Sequence, residues 1–417
     1  MNHQEYVDNI CKKTKKASIQ AAKLSINDKK KLLNLIAENL ILKSKPILEA
    51  NAKDLTNAKA NELADAMIDR LTLNEQRIKA MADSIKEIAE QDDPIGRIEN
   101  IKVRPSGIRV GQMRVPIGVV AVVYESRPNV TTDIAALCIK SGNAAILRGG
   151  KEAINSNIAL YEVIVDVLKS LDYDQNIITL ITEIDRELLK VLLKRNDLID
   201  IVIPRGGPGL IKTVTEESSI PVIKHDKGLC TIFIDESANL KNACDITVNA
   251  KVQRPGVCNA VETLLIHCNF PHKKELLSKL IEEKVEIRGC PRTLEIIPDK
   301  IKPAEAEDFD AEFLDLILAV KIVDSLDEAI EHIRIHGSGH SEAIITSSYE
   351  NSERFLKETD SAAVFVNASI RFHDGGEFGL GAEVGISTEK LHARGAMGAE
   401  GLTTLKYVVY GNGEIRG

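Results

Sequence analysis

The residues with the clearest chemical potential lie in one turn, Gln253-Arg254-Pro255-Gly256-Val257-Cys258-Asn259-Ala260. This turn follows a predicted helix over 239–250 and precedes an apolar β-type run over 261–267. A proline and a glycine interrupt the helical pattern, so we expect Cys258 on a tight turn with its thiol at the edge of a sheet. A thiol presented on a loop can act as a nucleophile, whereas a buried one behaves as a small apolar side chain. For an isolated cysteine the inert interpretation is the more common one, and the surrounding motifs must decide.

Composition sets the class of protein. With 417 residues, 44% of them hydrophobic, the chain can bury a core of about two or three domains. The net charge of −8 and a pI of about 5.7 create no field that favours nucleic acid or an anionic membrane. Aromatic residues make up only 4% and tryptophan is absent, which argues against a base-stacking platform. No apolar run approaches the ~20 residues of a membrane span. An odd number of cysteines, seven, without a CxxC pair or a signal peptide predicts reduced thiols in the cytoplasm.

The chain opens with helices and then a small β element. Up to about residue 91 the apolar spacing is helical, with Ser25 as a cap and Asp28 three residues later, and the lysine run 29–31 is interpreted as a solvated face. Residues 102–116 alternate and predict a two-stranded ribbon that turns at Gly111. A ribbon is not stable alone, and the run 403–410 is a plausible companion. We expect 104–116 and 403–417 to form an oligomerisation element.

Alternating β and α patterns then predict a parallel sheet. Strands are expected over 117–124, 144–147, 177–180 and 198–203, with helices over 132–140, 151–168 and 186–194. This is a doubly wound nucleotide-binding layout, although G-x-G-x-x-G is missing. Two other loops end a strand and open a helix, Arg148-Gly149-Gly150-Lys151 and Arg205-Gly206-Gly207-Pro208-Gly209. Backbone N–H groups and basic side chains at such points suit phosphates, although glycine-rich loops also occur as plain turns.

A second β/α series follows and carries Cys258 near its start. Strands are expected over 230–234, 261–267, 316–323, 343–346 and 362–366, and helices over 239–250, 272–283, 327–335 and 350–358. The glycine-rich stretch 372–387 is interpreted as a mobile loop. The predicted domains are 1–103 with 117–228 for nucleotide binding and 229–402 for catalysis, with the active site in the cleft between them.

Several stretches together resemble a known family, and they occur in its order over nearly the whole chain. The chain resembles the aldehyde dehydrogenase superfamily, and within it the branch that reduces glutamyl 5-phosphate in proline synthesis. The matching stretches are 123–131, 145–152, 203–207, 253–255 with Cys258-Asn259, 332–334 with 336–337, and 378–383 with 390–395. The resemblance implies an aldehyde dehydrogenase-like α/β fold with two doubly wound domains and a small β oligomerisation element.

The resemblance also implies a mechanism. The Cys258 thiolate attacks the acyl phosphate and expels phosphate, and NADPH reduces the resulting thioester to glutamate 5-semialdehyde. A thiolate suits this chemistry because it is both a strong nucleophile and a good leaving group. The oxyanion of each tetrahedral intermediate needs fixed donors, which match the Asn129 side chain and the Cys258 N–H. Without the resemblance, Asn129 would be interpreted as a turn residue after Pro128.

One departure distinguishes two activities. Hydrolytic aldehyde dehydrogenases carry a glutamate base that activates water on the thioester, but the matching stretch here is Lys224-His225-Asp226-Lys227-Gly228. Transfer of the acyl group to phosphate needs no such base, so the departure favours the phosphate-dependent reaction over the hydrolytic alternative. His225 or Asp226 could act as a base or form a surface turn. A catalytically silent relative with a structural role is the third hypothesis.

The same resemblance assigns binding residues. Arg148, Gly149 and Lys151 match the adenosine-ribose region, and their positive charge favours the 2′-phosphate of NADP. The remaining matches to the cofactor site are Arg205 with glycines 206, 207 and 209 near the pyrophosphate, and Glu312 at the nicotinamide ribose. Read without the resemblance, Glu312 is a helix-surface carboxylate. The substrate's phosphate and α-carboxylate suit Arg127, Arg254 and Arg371, beside Asn259.

Metal and partner expectations complete the prediction. His332, His336 and His340 fall at four-residue steps, but Gly337 and Gly339 end the helix before His340, so we expect no metal site. We expect a homo-oligomer, either a dimer or a tetramer. The acyl phosphate would come from a separate glutamate 5-kinase, a possible partner for handing over this labile compound.

Overall fold

The computed structural model describes residues 2–224 and 227–416. The chain divides into two compact units. The first comprises Met1–Lys224, Gly379–Gly385 and Ala396–Gly417, and the second comprises His225–Phe378 and Ile386–Gly395. Among the described residues, no helix is both long enough and apolar enough to cross a bilayer.

Five helices open the first unit: α1 (His3–Ala21), α2 (Ile26–Leu42), α3 (Ser44–Ala60), α4 (Asp65–Leu71) and α5 (Glu75–Glu90). The predicted start of α2 is confirmed, because Ser25 and Asp28 form a reciprocal capping box. The interpretation of residues 29–31 as a solvated face is wrong for Lys29, which is buried. Its ammonium lies 2.8 Å from a carboxylate oxygen of Asp93, since a buried cation requires a partner.

A three-stranded antiparallel sheet follows, in the order β1-β2-β16, built from β1 (Ile98–Val103), β2 (Arg109–Pro116) and the C-terminal strand Thr403–Tyr410, which is β16 in chain order. The predicted pairing of the ribbon with the C-terminal run is therefore confirmed. The predicted turn at Gly111 is wrong. The chain turns at Gly107, whose φ of +92° suits glycine, whereas Gly111 lies within β2, where a Cβ would come 2.8 Å from Ile101.

The first parallel sheet has the order β5-β4-β3-β6 and consists of β3 (Val119–Tyr124), β4 (Ala144–Arg148), β5 (Ile178–Leu180) and β6 (Ile201–Arg205). Its helices are α6 (Asn129–Lys140), α7 (Ile154–Ser170), α8 (Arg186–Leu192) and α9 (Pro208–Glu217). All six residues of β3 are buried, as expected for a central strand covered on both faces. The carboxyl ends of β3, β4 and β6 meet at one edge, which is where the predicted phosphate loops begin.

The second unit contains a seven-stranded parallel sheet in the order β10-β9-β11-β8-β7-β12-β13. Its strands are β7 (Cys230–Ile234), β8 (Val261–His267), β9 (Glu286–Gly289), β10 (Lys302–Pro303), β11 (Ile317–Val323), β12 (Ser341–Ile345) and β13 (Ala363–Val366). Its helices are α10 (Leu240–Val252), α11 (Lys273–Glu282), α12 (Pro291–Leu294), α13 (Leu326–His336) and α14 (Tyr349–Glu358). The sequence did not predict β9, α12 or β10, which are short and carry charged residues.

Regular structure is sparse after α14 and β13. The glycine-rich stretch 372–387 has regular structure only at its ends, as predicted, and its mobility stays a prediction. Two short strands lie near its end, β14 (Ile386–Ser387) and β15 (Gly395–Ala396). The chain also forms 3-10 turns at Lys151–Ala153, Gln175–Ile177, Ala306–Asp310, Ile370–Phe372 and Glu400–Leu402. β14 and β15 pair with each other as a two-stranded sheet. The predicted α/β class, with two parallel sheets and a small antiparallel sheet, is confirmed.

Candidate active site

The turn that carries Cys258 stands between the end of α10 and the start of β8, as the sequence predicts. Cys258 is half-buried, whereas the nearby Cys230 is fully buried. The Cys230 thiol donates to the carbonyl oxygen of Cys258 over 3.2 Å. The backbone of Gly228 lies so close to the same peptide that a Cβ there would overlap the carbonyl of Cys258. The Cys230 thiol and the Gly228 backbone therefore hold the Cys258 carbonyl from two directions, and the Cys258 side chain is not part of the hydrophobic core.

Two of the predicted substrate residues, Asn259 and Arg371, form hydrogen bonds between this turn and the segment 371–373. Asn259 is buried, and its Nδ2 donates to the carbonyl oxygen of His373 over 3.0 Å. The Nε of Arg371 donates to Oε1 of Gln253 over 2.8 Å, at the start of the turn. Burial lowers the pKa of Arg371, and the charge of Arg254 adds to this effect. A partly desolvated guanidinium next to a second one favours the binding of an anion.

A buried ion pair that was not predicted joins the two ends of the turn. Lys251 lies near the end of α10 and Glu262 near the start of β8, and their Nζ and Oε2 atoms are 2.7 Å apart. Burial raises the pKa of Glu262 to about 7, against the opposing charge of Lys251. All seven residues of β8 are buried, so a glutamate within this strand was the signal that a partner had to exist.

Glu312, the predicted ribose ligand, precedes β11 in the second unit and is half-buried. Its Oε1 accepts a hydrogen bond from the Gly228 N–H over 3.0 Å. Without the family resemblance, Glu312 is predicted to be a helix-surface carboxylate, and this prediction is wrong because the residue lies outside any helix. One of its carboxylate oxygens therefore orients Gly228, which lies two residues before β7 and against the backbone of Cys258.

In the first unit, Asn129 is the first residue of α6. Its Nδ2 donates to Oδ2 of Asp133 over 2.8 Å. Burial raises the pKa of Asp133 to about 6, and the hydrogen bond from Asn129 opposes this rise. Asp133 was not predicted as a site residue, although its position four residues after Asn129 places both on one helix face. The carboxylate fixes which end of the Asn129 amide faces away from the helix.

The segment between β3 and α6, which includes the half-buried Arg127, is fixed by two carboxylates. Ser126 has a φ of +25° and is held by Oε1 of Glu152, which accepts from its N–H over 2.8 Å and from its Oγ over 2.7 Å. Oε2 of Glu125 accepts from the Gly207 N–H over 2.8 Å, at the start of α9. In this structure a carboxylate therefore occupies one of the amides predicted to face a pyrophosphate.

The two basic loops lie where predicted, after β4 and β6. Arg148 is half-buried, and within the described part of the chain its buried Nε has no hydrogen-bond partner. Burial and the charge of Arg186 both lower the pKa of Arg148. Lys151, three residues after Arg148, is exposed. In the second loop, an Nη atom of Arg205 lies 3.5 Å from Oε1 of Glu383. An unsatisfied buried guanidinium nitrogen among other cations fits an anionic ligand.

The remaining predicted residues are His225 and Asp226, the loop glycines and the histidines of α13. His225 and Asp226 lie outside the described residues. Gly149 and Gly206 lie close to side chains, because a Cβ would overlap Asn157 at the former and come 2.5 Å from Glu125 at the latter, whereas Gly209 faces open space. The helix carrying His332 ends at His336, as predicted. Burial lowers the pKa of His332 to about 3, and His336 contacts Asp310 over 2.8 Å.

The chain is similar in sequence to known proteins of one family. Residues 1–289 match the model of the aldehyde dehydrogenase family. The chain is 53% identical to the gamma-glutamyl phosphate reductase of Caldanaerobacter subterraneus over 97% of this chain and 98% of that one. It is 51% identical to the gamma-glutamyl phosphate reductase of Clostridium acetobutylicum over 100% of both.

Solved structures give the same result. The crystal structure of gamma-glutamyl phosphate reductase from Thermotoga maritima superposes with a TM-score of 0.94 at 43% identity, covering 99% of this chain and 100% of that one. An acetylating aldehyde dehydrogenase from Geobacillus thermoglucosidasius, only 18% identical, has a TM-score of 0.71 over 100% of this chain and 98% of that one. At that identity the likeness concerns the fold alone.

Proposed function

Because the chain belongs to the aldehyde dehydrogenase family, and within it to the gamma-glutamyl phosphate reductases, we propose that it reduces L-glutamyl 5-phosphate to L-glutamate 5-semialdehyde and phosphate. This is the second step of proline biosynthesis from glutamate. The observation that carries the proposal is the 53% identity to a gamma-glutamyl phosphate reductase over 97% of the chain. The position of Cys258 on a half-buried turn before β8 supports it.

The proposed reaction begins at Cys258. Its thiolate attacks the γ-acyl carbon, a C–S bond forms, and the C–O bond to phosphate breaks, so that phosphate leaves with its electron pair. NADPH, when bound, supplies the hydride that reduces the thioester. The tetrahedral adduct then releases the aldehyde, and the sulfur leaves again as thiolate. Sulfur suits both steps because it attacks well and leaves well.

Both tetrahedral species carry an oxyanion, and we propose Asn129 and the Cys258 N–H as its donors. The hydrogen bond to Asp133 uses one of the two hydrogens on Asn129 Nδ2 and leaves the other available. The carbonyl oxygen of Cys258 is held by Cys230. The backbone of Gly228 also lies against the Cα of Cys258. A residue held at both its Cα and its carbonyl restricts the directions that its own N–H can take, as preorganised stabilisation of an oxyanion requires.

Membership of the family implies a nicotinamide cofactor, and we propose NADP(H), with its phosphates bound by the first unit. The cation group of Arg148, Lys151 and Arg186 fits the additional 2′-phosphate, because the buried Arg148 Nε needs a partner. We assign Gly149 to the same loop and Arg205 with glycines 206, 207 and 209 to the pyrophosphate. Glu125 would leave the Gly207 N–H when the pyrophosphate binds there. Glu312 would use the oxygen that does not bind Gly228 for the ribose.

The substrate presents a phosphate, an α-carboxylate and an α-ammonium. We propose that Arg127, Arg254 and Arg371 bind its anionic groups. The Nε of Arg371 donates to Gln253, so we assign the anion to its two terminal nitrogens. Asn259 contributes by holding the turn, because its amide nitrogen already donates to His373.

Assembly and location follow from the same proposal. We propose a homo-oligomer that uses the β1-β2-β16 sheet, because the outer strand β16 exposes Tyr407 at 72% and Val409 at 57%. We also propose that the protein works in the cytoplasm and receives its acyl phosphate from a separate glutamate 5-kinase. The hydrolytic alternative is not favoured, since the relatives are named as reductases of an acyl phosphate.

The reverse reaction tests the proposal. Glutamate 5-semialdehyde and NADP+ are mixed with the protein, with and without phosphate, and NADPH is followed by absorbance. Steady NADPH formation that requires phosphate and disappears in Cys258→Ala is the expected result. Equal steady rates with and without phosphate would instead identify a hydrolytic enzyme.

A further inference from the structure

We propose that the buried ion pair of Lys251 and Glu262 positions the Cys258 turn and the Glu312 segment relative to each other for hydride transfer. The inference rests on the proposed function and adds two residues to it. Neither residue is proposed to touch substrate or cofactor, so both are positioning residues.

The first observation is where the pair lies. Lys251 is the penultimate residue of α10 and Glu262 the second residue of β8, so the two flank the whole turn over 253–260. The Nζ of Lys251 donates to Oε2 of Glu262 over 2.7 Å, and both side chains are at most 1% exposed. A charge-assisted bond without competing water fixes the distance between the two ends of the turn. The position of Cys258 is set by that distance.

The second observation is that Glu262 reaches a further segment. Its other oxygen, Oε1, accepts from the Leu314 N–H over 3.2 Å. Leu314 adopts a left-handed backbone with a φ of +53°, an uncommon conformation for a branched residue that neighbouring contacts must maintain. Glu312 lies two residues earlier in the same segment. One carboxylate therefore ties the base of the Cys258 turn to the proposed ribose ligand.

The third observation closes this set of contacts. Oε1 of Glu312 accepts from the Gly228 N–H over 3.0 Å, and the backbone of Gly228 lies against the carbonyl of Cys258. The contacts thus run from Lys251 through Glu262, Leu314 and Glu312 to Gly228, and end at Cys258. A displacement at Lys251 or Glu262 would reach the cysteine both through the turn and through Glu312.

The charges of this pair are not explained by stability alone. Burying two ions costs several kcal/mol, and neutral side chains of similar volume often serve a fold equally well. Burial also lowers the pKa of Lys251 and raises that of Glu262 to about 7, so the site disfavours both charges. What an ion pair provides and two apolar residues do not is a directional contact with a fixed length.

The test uses a neutral double variant, Lys251→Met/Glu262→Gln, in which the Gln oxygen can still accept from Leu314 but no ion pair exists. The matched control is Lys29→Met/Asp93→Asn, which removes the ion pair of a buried lysine and a half-buried aspartate, whose Nζ and Oδ2 atoms are 2.8 Å apart, far along the chain from Cys258. Three quantities are measured for each: the melting temperature, kcat and KM in the reverse assay, and the rate of Cys258 alkylation by iodoacetamide, followed by mass spectrometry with Cys268 as the internal reference.

For Lys251→Met/Glu262→Gln we expect a melting temperature within a few degrees of the native value, a kcat at least tenfold lower, a KM for NADP+ within threefold, and Cys258 alkylation at least threefold faster. The control should keep native kcat and alkylation. A test variant with native kcat and a native alkylation rate would overturn the proposal. A test variant that does not fold would also overturn it, because the ion pair would then be needed for folding and not for positioning Cys258. If the native protein does not turn over the semialdehyde, the proposed function fails, while alkylation still decides the role of the pair.

Discussion

Gly228 and Cys258 are in direct backbone contact, because a Cβ at position 228 would overlap the carbonyl group of Cys258. The overlapping atoms are backbone atoms, which cannot rotate away as a side chain does. Gly228 also donates its N–H to Glu312 over 3.0 Å, so the segment cannot withdraw without breaking that bond. The orientation of the Cys258 backbone therefore depends on residue 228 being a glycine, which has no side chain.

The first prediction concerns Gly228→Ala. We expect kcat to fall at least tenfold and the free energy of unfolding to fall by about 1–3 kcal/mol, as for other overpacked sites. Steady-state kinetics and denaturant unfolding measure the two quantities. The control is Gly256→Ala, in the turn that carries Cys258. A Cβ at position 256 would lie 3.6 Å from its nearest neighbour, the carbonyl oxygen of Leu314, which is an ordinary contact. A smaller effect in Gly228→Ala than in Gly256→Ala would contradict the steric argument.

The second prediction concerns Asp133→Ala, which removes the acceptor that orients the Asn129 amide over 2.8 Å. Because the amide loses its preferred direction, we expect kcat to fall about tenfold with little change in KM, as for a group that acts only in the transition state. Asp133→Asn retains an acceptor oxygen and should recover much of the rate. An unchanged kcat in Asp133→Ala would show that the orientation of Asn129 does not depend on this contact.

The third prediction concerns pH and stability. Burial raises the pKa of Asp133 to about 6, above its value in the unfolded chain. The folded state therefore binds this proton more tightly, and the stability it contributes is present below about pH 4 and is lost as the pH rises through about 6. Asp133→Asn cannot ionise, so its stability relative to the native protein should increase from pH 4 to pH 7. Urea unfolding at both values checks the sign, and a relative decrease would refute it.

The fourth prediction concerns the cofactor. Replacing both Arg148 and Lys151 with Gln removes two of the cations proposed for the 2′-phosphate, so we expect the KM for NADPH to rise at least tenfold and that for NADH to change less than twofold. Kinetics with each cofactor measure the ratio. Lys190→Gln is a control on α8, where the lysine pairs with Glu187 at the surface over 2.8 Å. An equal rise for both cofactors would place these residues elsewhere in the site.

Much of the fold could be predicted because its central strands are apolar and bounded by turn residues. β7 and β8 lie over the residues predicted for them, since in buried parallel strands hydrophobicity itself marks the ends. β9 was missed because only four residues form it and two of those, Glu286 and Arg288, are charged. The turn at Gly107 was misplaced because two glycines lie in that ribbon, and the pattern cannot tell a turn from a close packing contact.

The candidate site divides in the same way. Cys258 could be found from its own turn, because the sequence brings the nucleophile and the turn residues together. The partners of Lys29 and Leu314 lie 64 and 52 residues away along the chain, and their contacts follow from tertiary packing. Periodicity carries no information about such pairs. The exception is Glu262, where a charged residue within a wholly buried strand demands a partner that the sequence alone could have flagged.

The covalent role of Cys258 is tested most directly by rapid mixing of the native protein with glutamate 5-semialdehyde and NADP+ in the absence of phosphate. We predict a single burst of NADPH of about one equivalent per chain, as expected when an acyl-enzyme accumulates. Mass spectrometry should locate a glutamyl thioester on Cys258, and added phosphate should restore turnover. A burst in Cys258→Ala, or continuous NADPH formation by the native protein without phosphate, would contradict the mechanism.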